Sequence, residues 1–280
     1  AIAMVVGIVV GSGVFFKAEK VLTATGGDLP LGILAWALGG VIMIICAYTF
    51  SIMATHYRRV NGLVDYAEAT VGSRYAYYTA WFSTFVYYPA MTSVLAWVSA
   101  RYLGVILGFD ITGGPVMVIA CFFLIASYAV NALSPILAGR FQVSTTVIKL
   151  IPLLLMAVVG IIVGLASDQG VLLENMANPG AETTGNPLFG AIVATAFAYE
   201  GWIIATSINA ELKDAKRNLP IALIAGGIII VAIYLFYYIG VAGGATVEDL
   251  MHDGATTAYL NIFGGAFGNI LNLFVAISCM

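Results

Sequence analysis

The feature that most constrains this chain is a helix breaker set inside an apolar run. Gly11-Ser12-Gly13 interrupts the stretch 1–16, with hydrophobic residues on both sides. A helix crossing a bilayer satisfies its own backbone hydrogen bonds, so N–H and C=O groups freed at that depth are tolerated only where they line a cavity or bind something. The half-helix beginning near Val14 would turn unpaired N–H groups and its positive dipole end toward the gap, and the half ending near Val10 would turn carbonyls toward it. One gap thereby offers donors to an anion and acceptors to a cation, as a zwitterion such as a free amino acid requires. Glycines at this spacing also let membrane helices pack closely, so the motif alone leaves packing and binding both open.

Composition places the gap in a membrane. Hydrophobic residues make up 61% of the chain and charged residues 9%, against about 25% charged in soluble domains. The apolar runs are each of the order of 20 residues, the length of a helix crossing about 30 Å of hydrocarbon. Eight spans are expected, over 1–16, 31–56, 75–107, 115–131, 139–166, 187–211, 220–245 and 258–280. Arg58, Arg59, Arg74, Arg140, Lys213, Lys216 and Arg217 fall on alternate connections, whereas the opposite ones carry only Lys17, Lys20 and Arg101. The excess of basic residues marks the cytoplasmic side, so the first span is expected to run outward from a cytoplasmic N-terminus. The chain starts without a basic flank and stops inside an apolar run, and is therefore expected to be a piece of a longer protein.

Other classes are excluded by what the residues lack. A net charge of −3 offers no basic face to nucleic acid. His56 and His252 sit at membrane edges, and Cys46, Cys121 and Cys279 lie in apolar runs as packing residues, so no metal cluster, phosphate loop or nucleophile elbow forms. No enzymatic activity, cofactor or metal is expected. Ser12 has no neighbouring base, which suits its hydroxyl to holding a carboxylate rather than to attacking one.

A second interruption, Tyr199-Glu200-Gly201, falls in the middle of the sixth span. Spans one and six are five apart and cross in opposite directions, and two broken helices in corresponding positions of inverted repeats point to a transporter site at the midplane. Lys149 is the one basic residue well inside a span, roughly 13 Å along the helix from Arg140. It either snorkels to the headgroups or points inward, toward the broken first helix, in the place of a driving cation. Glu200 is the acidic residue in mid-span. It could attract a substrate ammonium, carry a proton, pair with a cation, or face a water-filled vestibule. Phe197, just before the break, is placed to close over a small substrate, and Tyr234, Tyr237 and Tyr238 read as lining or packing.

These residues resemble a known family. Gly11-Ser12-Gly13-Val14-Phe15, Phe197-Ala198-Tyr199-Glu200-Gly201-Trp202, and Glu211 followed by Arg217-Asn218-Leu219-Pro220 resemble motifs of the amino acid–polyamine–organocation superfamily, in its L-type amino acid transporter branch. The resemblance looks nearest to bacterial alanine-serine-cysteine exchangers. It implies an all-α integral membrane protein with a five-plus-five inverted-repeat, LeuT-like fold of twelve helices, of which the first eight are present. Residues 1–166 would be the first repeat and 187–280 part of the second. It further implies sodium-independent exchange of small neutral L-amino acids by alternating access, in the cell's inner (cytoplasmic) membrane. Residue by residue, Gly11, Ser12 and Gly13 would meet the substrate carboxylate, and Val9, Phe197 and Glu200 would offer carbonyls to its ammonium. Ala198 and Ile203 would line the site, Phe197 would gate it, and Lys149 would stand in for sodium. Glu200 and Ile203 replace residues common in eukaryotic members. No Cys lies between Arg101 and Pro115, where those members are linked to a heavy chain, so no such linkage is expected. Proton-coupled uptake through Glu200, and an amino acid sensor that binds without transport, are the rival readings.

Overall fold

A computed structural model describes residues 2–11, 13–57, 61–110, 112–166, 171–203 and 214–279, and among them every regular element is helical. The first span is α1 (Ile2–Val9) and α2 (Gly13–Ala24), and the second is α3 (Leu29–His56). The short α4 (Leu63–Thr70) leads to the third, made of α5 (Ser73–Phe82), a π-helical turn (Ser83–Tyr87) and α6 (Tyr88–Leu107). The fourth is α7 (Gly114–Leu133); the fifth is α8 (Pro135–Leu155), a second π-helical turn (Met156–Gly160) and α9 (Ile161–Ala166). After α10 (Leu172–Ala177) come α11 (Pro187–Ala196), α12 (Ala215–Ala242), the short α13 (Val247–Asp253) and α14 (Ala255–Cys279).

Six stretches among the described residues are long and apolar enough to cross a membrane: Leu29–His56, Ser73–Leu107, Gly114–Leu133, Val147–Ala166, Arg217–Ala242 and Ala255–Ile277. They match the second, third, fourth, fifth, seventh and eighth expected spans. The first and sixth expected spans, where the sequence carries its breaks, are not among these six, and both contain positions outside the described residues, Ser12 and 204–211.

Local chemistry fixes several ends. Asp28 caps α3 by accepting from Leu31 N at 2.8 Å, with Pro30 in the first turn, and Asn186 caps α11 by accepting from Phe189 N at 3.1 Å ahead of Pro187. Gly108 closes α6 in the left-handed conformation, φ +70°. Two expectations are corrected. The first span continues past residue 16 to Ala24, because Lys17 and Lys20 ride a helix whose other face buries Val14, Phe15, Ala18, Val21 and Leu22. The eighth span is not one straight helix, since Gly264 holds φ +76° and ψ 167° inside α14.

The core lies where α3, α11 and α12 meet α1 and α2. The fifth and seventh spans cross backbone to backbone. A Cβ at Gly160 would strike the Gly240 carbonyl, and one at Gly164 would lie 2.6 Å from Gly243 Cα. At one end of the bundle the turn after α2, the segment after α10 and α13 are tied together. Ala181 N donates to Gly26 O at 2.7 Å, and the buried Asn175 bonds Ala242 O at 2.7 Å, Ala245 O at 2.9 Å and Val247 N at 3.2 Å. α4 lies at the opposite end, between the second and third spans.

Candidate functional site

Both breaks are open. α1 stops at Val9, Val10 and Gly11 bend, and α2 starts at Gly13; Ser12 lies outside the described residues. α11 stops at Ala196 and the chain turns through 197–203, with Gly201 at φ +103°, a conformation that suits glycine and cannot continue a helix. Residues 204–213, which include Glu211 and Lys213, lie outside the described residues.

The two breaks touch. Gly13 sits so close to the other strand of the gap that a Cβ there would lie 2.7 Å from Ala198 Cα. The hydroxyl of buried Tyr234, on α12, lies 3.0 Å from Val9 O and 3.2 Å from Ala198 O, with one proton to share between the two acceptors. Tyr199 extends the join by donating to Trp36 O at 2.9 Å, and the rings of Trp36, Tyr199 and Tyr234 lie edge-on or tilted with centroids 5.2 to 5.6 Å apart. Tyr234 was legible only as a lining or packing residue without a role of its own. The signal in its favour is physical: a tyrosine deep in a span needs a partner for its hydroxyl, and in a membrane interior freed carbonyls are the partners on offer.

Lys149 is 4% exposed, and its Nζ donates to Gly7 O at 2.6 Å. The last carbonyls of a helix lack intrahelical partners and favour a cation. Three of the last four in α1 have partners: Val6 O accepts from Val10 N at 2.8 Å, Gly7 O from Lys149, and Val9 O from Tyr234. The ammonium is thus turned inward to the broken helix rather than out to the headgroups.

Phe197 meets Phe16 edge to face at 5.4 Å, and the Lys17 ammonium lies 5.1 Å from the Phe197 ring centroid and 5.4 Å from that of Phe16. Toward the α4 end, Glu200 and Ile203 line a cavity of about 740 Å³ together with Tyr75, Tyr78, Tyr87 and Tyr88. Toward the α13 end, a cavity of about 320 Å³ reaches Phe15 and Phe16 past Glu19, Arg101 and Asp253. Val9, Gly13, Phe197 and Ala198 therefore meet at one point, Gly11 adjoins it, Lys149 braces it from behind, and Glu200 and Ile203 face the larger cavity.

Two facing backbone gaps in a many-spanned helical membrane chain, with one basic side chain at the end of a half-helix and a cavity at either end, are the features with which secondary transporters as a class hold a solute at the midplane. The chain belongs to the amino acid permease family, whose profile matches residues 1–280. It is 29% identical over 282 residues to the serine/threonine exchanger SteT of Bacillus subtilis (strain 168), covering 99% of this chain and 62% of that protein. It is 27% identical over 258 residues to the human b(0,+)-type amino acid transporter 1, covering 91% of this chain and 52% of that protein. The human cystine/glutamate transporter is 21% identical over 281 residues, with 99% and 56% covered. The chain thus spans between about half and 62% of the length of these relatives. Family and relatives are membrane transporters rather than enzymes.

Proposed function

We propose that this chain forms the substrate-holding part of an exchanger that passes small neutral L-amino acids across the cell's inner membrane by alternating access, without sodium. The observation that carries the reading is the contact between the breaks: Gly13 against Ala198, with the Tyr234 hydroxyl spanning Val9 O and Ala198 O. In this reading the amides of Gly11, Ser12 and Gly13, at the start of α2, hold the substrate carboxylate, and the Ser12 hydroxyl adds a bond. The carbonyls of Val9, Phe197 and Glu200 face its ammonium, Ala198 and Ile203 shape the walls, and Phe197 closes over it. The Lys149 side chain, donating to Gly7 O, stands at the C-terminal end of α1 in the place of a cation, so no sodium ion is needed to meet that dipole. The two repeats, 1–166 and 187–280, rock against each other about this point, with the N-terminus cytoplasmic. No disulfide-linked heavy chain takes part.

The test is uptake of labelled alanine into proteoliposomes, with and without unlabelled alanine inside. Uptake that needs internal amino acid and is unchanged when choline replaces sodium is the expected result. Uptake that needs an acid exterior instead assigns proton coupling to Glu200, and binding without flux assigns a sensor; either outcome overturns exchange.

A further inference from the structure

Lys17 carries a charge for which the capture of a zwitterion has no use. It follows Phe15 and Phe16 on α2, half-buried, and its ammonium joins no carboxylate among the described residues. Glu19, two positions on, is taken by Lys20 at 2.6 Å. The Lys17 Nζ lies instead 5.4 Å from the centroid of the Phe16 ring and 5.1 Å from that of Phe197. Successive residues on a helix do not face each other, so the side chain reaches Phe16 only by folding back along its own helix. The electron-rich ring faces attract the ammonium into that bend, more strongly as water is excluded.

The three side chains come from both broken spans. Phe16 lies three residues past Gly13, and Phe197 stands one residue before Ala198, where the breaks touch. Their rings meet edge to face at 5.4 Å. Phe16 lines the cavity of about 320 Å³ at the α13 end and Phe197 does not. Phe197 lines a different cavity, of about 420 Å³, with Ala196, Tyr199 and Trp202. The ring pair thus stands as a partition between two spaces, and one ammonium touches both of its leaves. Resting on the reading of Phe197 as the gate, we propose that Lys17 is a positioning residue that clasps Phe197 against Phe16 and so keeps the α13 side of the break closed. Parting the rings costs the ammonium one of its two contacts, which sets how long the partition stays shut.

The test is the rate at which labelled alanine leaves the purified protein on dilution into unlabelled alanine. Lys17→Met keeps the apolar stem and removes the charge, and should raise that rate about five- to thirtyfold, the combined effect of two ring contacts. Lys17→Arg should stay within about twofold of the wild type, since a guanidinium also lies over ring faces. In a Phe197→Leu background, which has no ring to hold, Lys17→Met should change the rate by less than about twofold. A rate that Lys17→Met leaves unchanged, or that it raises equally in the Phe197→Leu background, overturns the inference. Phe197→Leu by itself reports on the gate, and an unchanged rate there sinks the gate and the clasp together. Melting temperatures of the same variants without ligand decide the contact in a protein that binds no alanine. Non-additive shifts of Lys17→Met and Phe197→Leu then uphold the clasp and sink only the amino acid reading, whereas additive shifts overturn the clasp.

Discussion

α3 and α11 lie side by side, yet α3 runs unbroken from Leu29 to His56 and α11 ends at Ala196. α3 carries the more glycines. In α3, Gly32, Gly39 and Gly40 stay helical and serve close approach, since a Cβ there would land on the Tyr238 hydroxyl, the Thr195 hydroxyl and the Val231 side chain respectively. In the sixth span one glycine, Gly201, leaves the helical region altogether. Glycine number therefore does not decide where a membrane helix opens. Waiting partners do: the broken first span has Lys149 and Tyr234 for its freed carbonyls, and the sixth has Tyr234 for Ala198 O. Without such partners an opened helix in hydrocarbon costs several kcal/mol for each unsatisfied group.

Removing those partners should break the comparison, and the largest effect should come from Lys149. Lys149→Ala leaves Gly7 O without its charged donor, a loss of about 1.5–3 kcal/mol, or roughly 10- to 150-fold in a binding constant. Exchange should fall by at least that factor while the protein still inserts, and Lys149→Arg should recover only part of it. Unchanged exchange in Lys149→Ala, measured in the proteoliposome assay, would refute the cation's role at the break.

Tyr234→Phe should cost less. It removes one neutral hydroxyl, about 1 kcal/mol, and keeps the ring against Trp36 and Tyr199. Apparent affinity for alanine should weaken about fivefold, with the melting temperature slightly lowered. A melting temperature that drops with affinity intact would make Tyr234 a brace for the bundle alone.

The smallest effect sharpens the comparison within one helix. Gly264 and Gly265 are neighbours in α14, and a Cβ added at either meets nothing within 4 Å. Only Gly264 has positive φ. Gly264→Ala should destabilise by about 1 kcal/mol through backbone strain, whereas Gly265→Ala should be neutral or gain up to about 1 kcal/mol. Thermal unfolding of the two variants checks this, and equal costs would remove the kink at Gly264.

The breaks were legible because a glycine motif inside an apolar run has few readings in lipid, and the six long spans were legible from length and apolarity alone, although the kink at Gly264 in the last of them was not. Lys149 and Glu200 stood out as charges out of place. The second partner of the freed carbonyls was hidden, because Tyr234 lies 225 positions from Val9 and nothing in local sequence announces that pairing. The extension of α2 to Ala24 was hidden by Lys17, Glu19 and Lys20, which look like a connection until the buried opposite face is seen. The π-helical turn at Met156–Gly160 follows Pro152, whose missing N–H unsettles the ladder, but proline alone does not specify a π turn over a kink.

The most direct test is a cryo-EM map of the protein in nanodiscs with saturating alanine. The account predicts that helical density stops at Val9 and at Ala196, with the ligand in the gap between them, its carboxylate toward the Gly13 amide and its ammonium toward the Val9 and Phe197 carbonyls. Continuous helix through 197–203, or alanine bound away from the contact between Gly13 and Ala198, would contradict it.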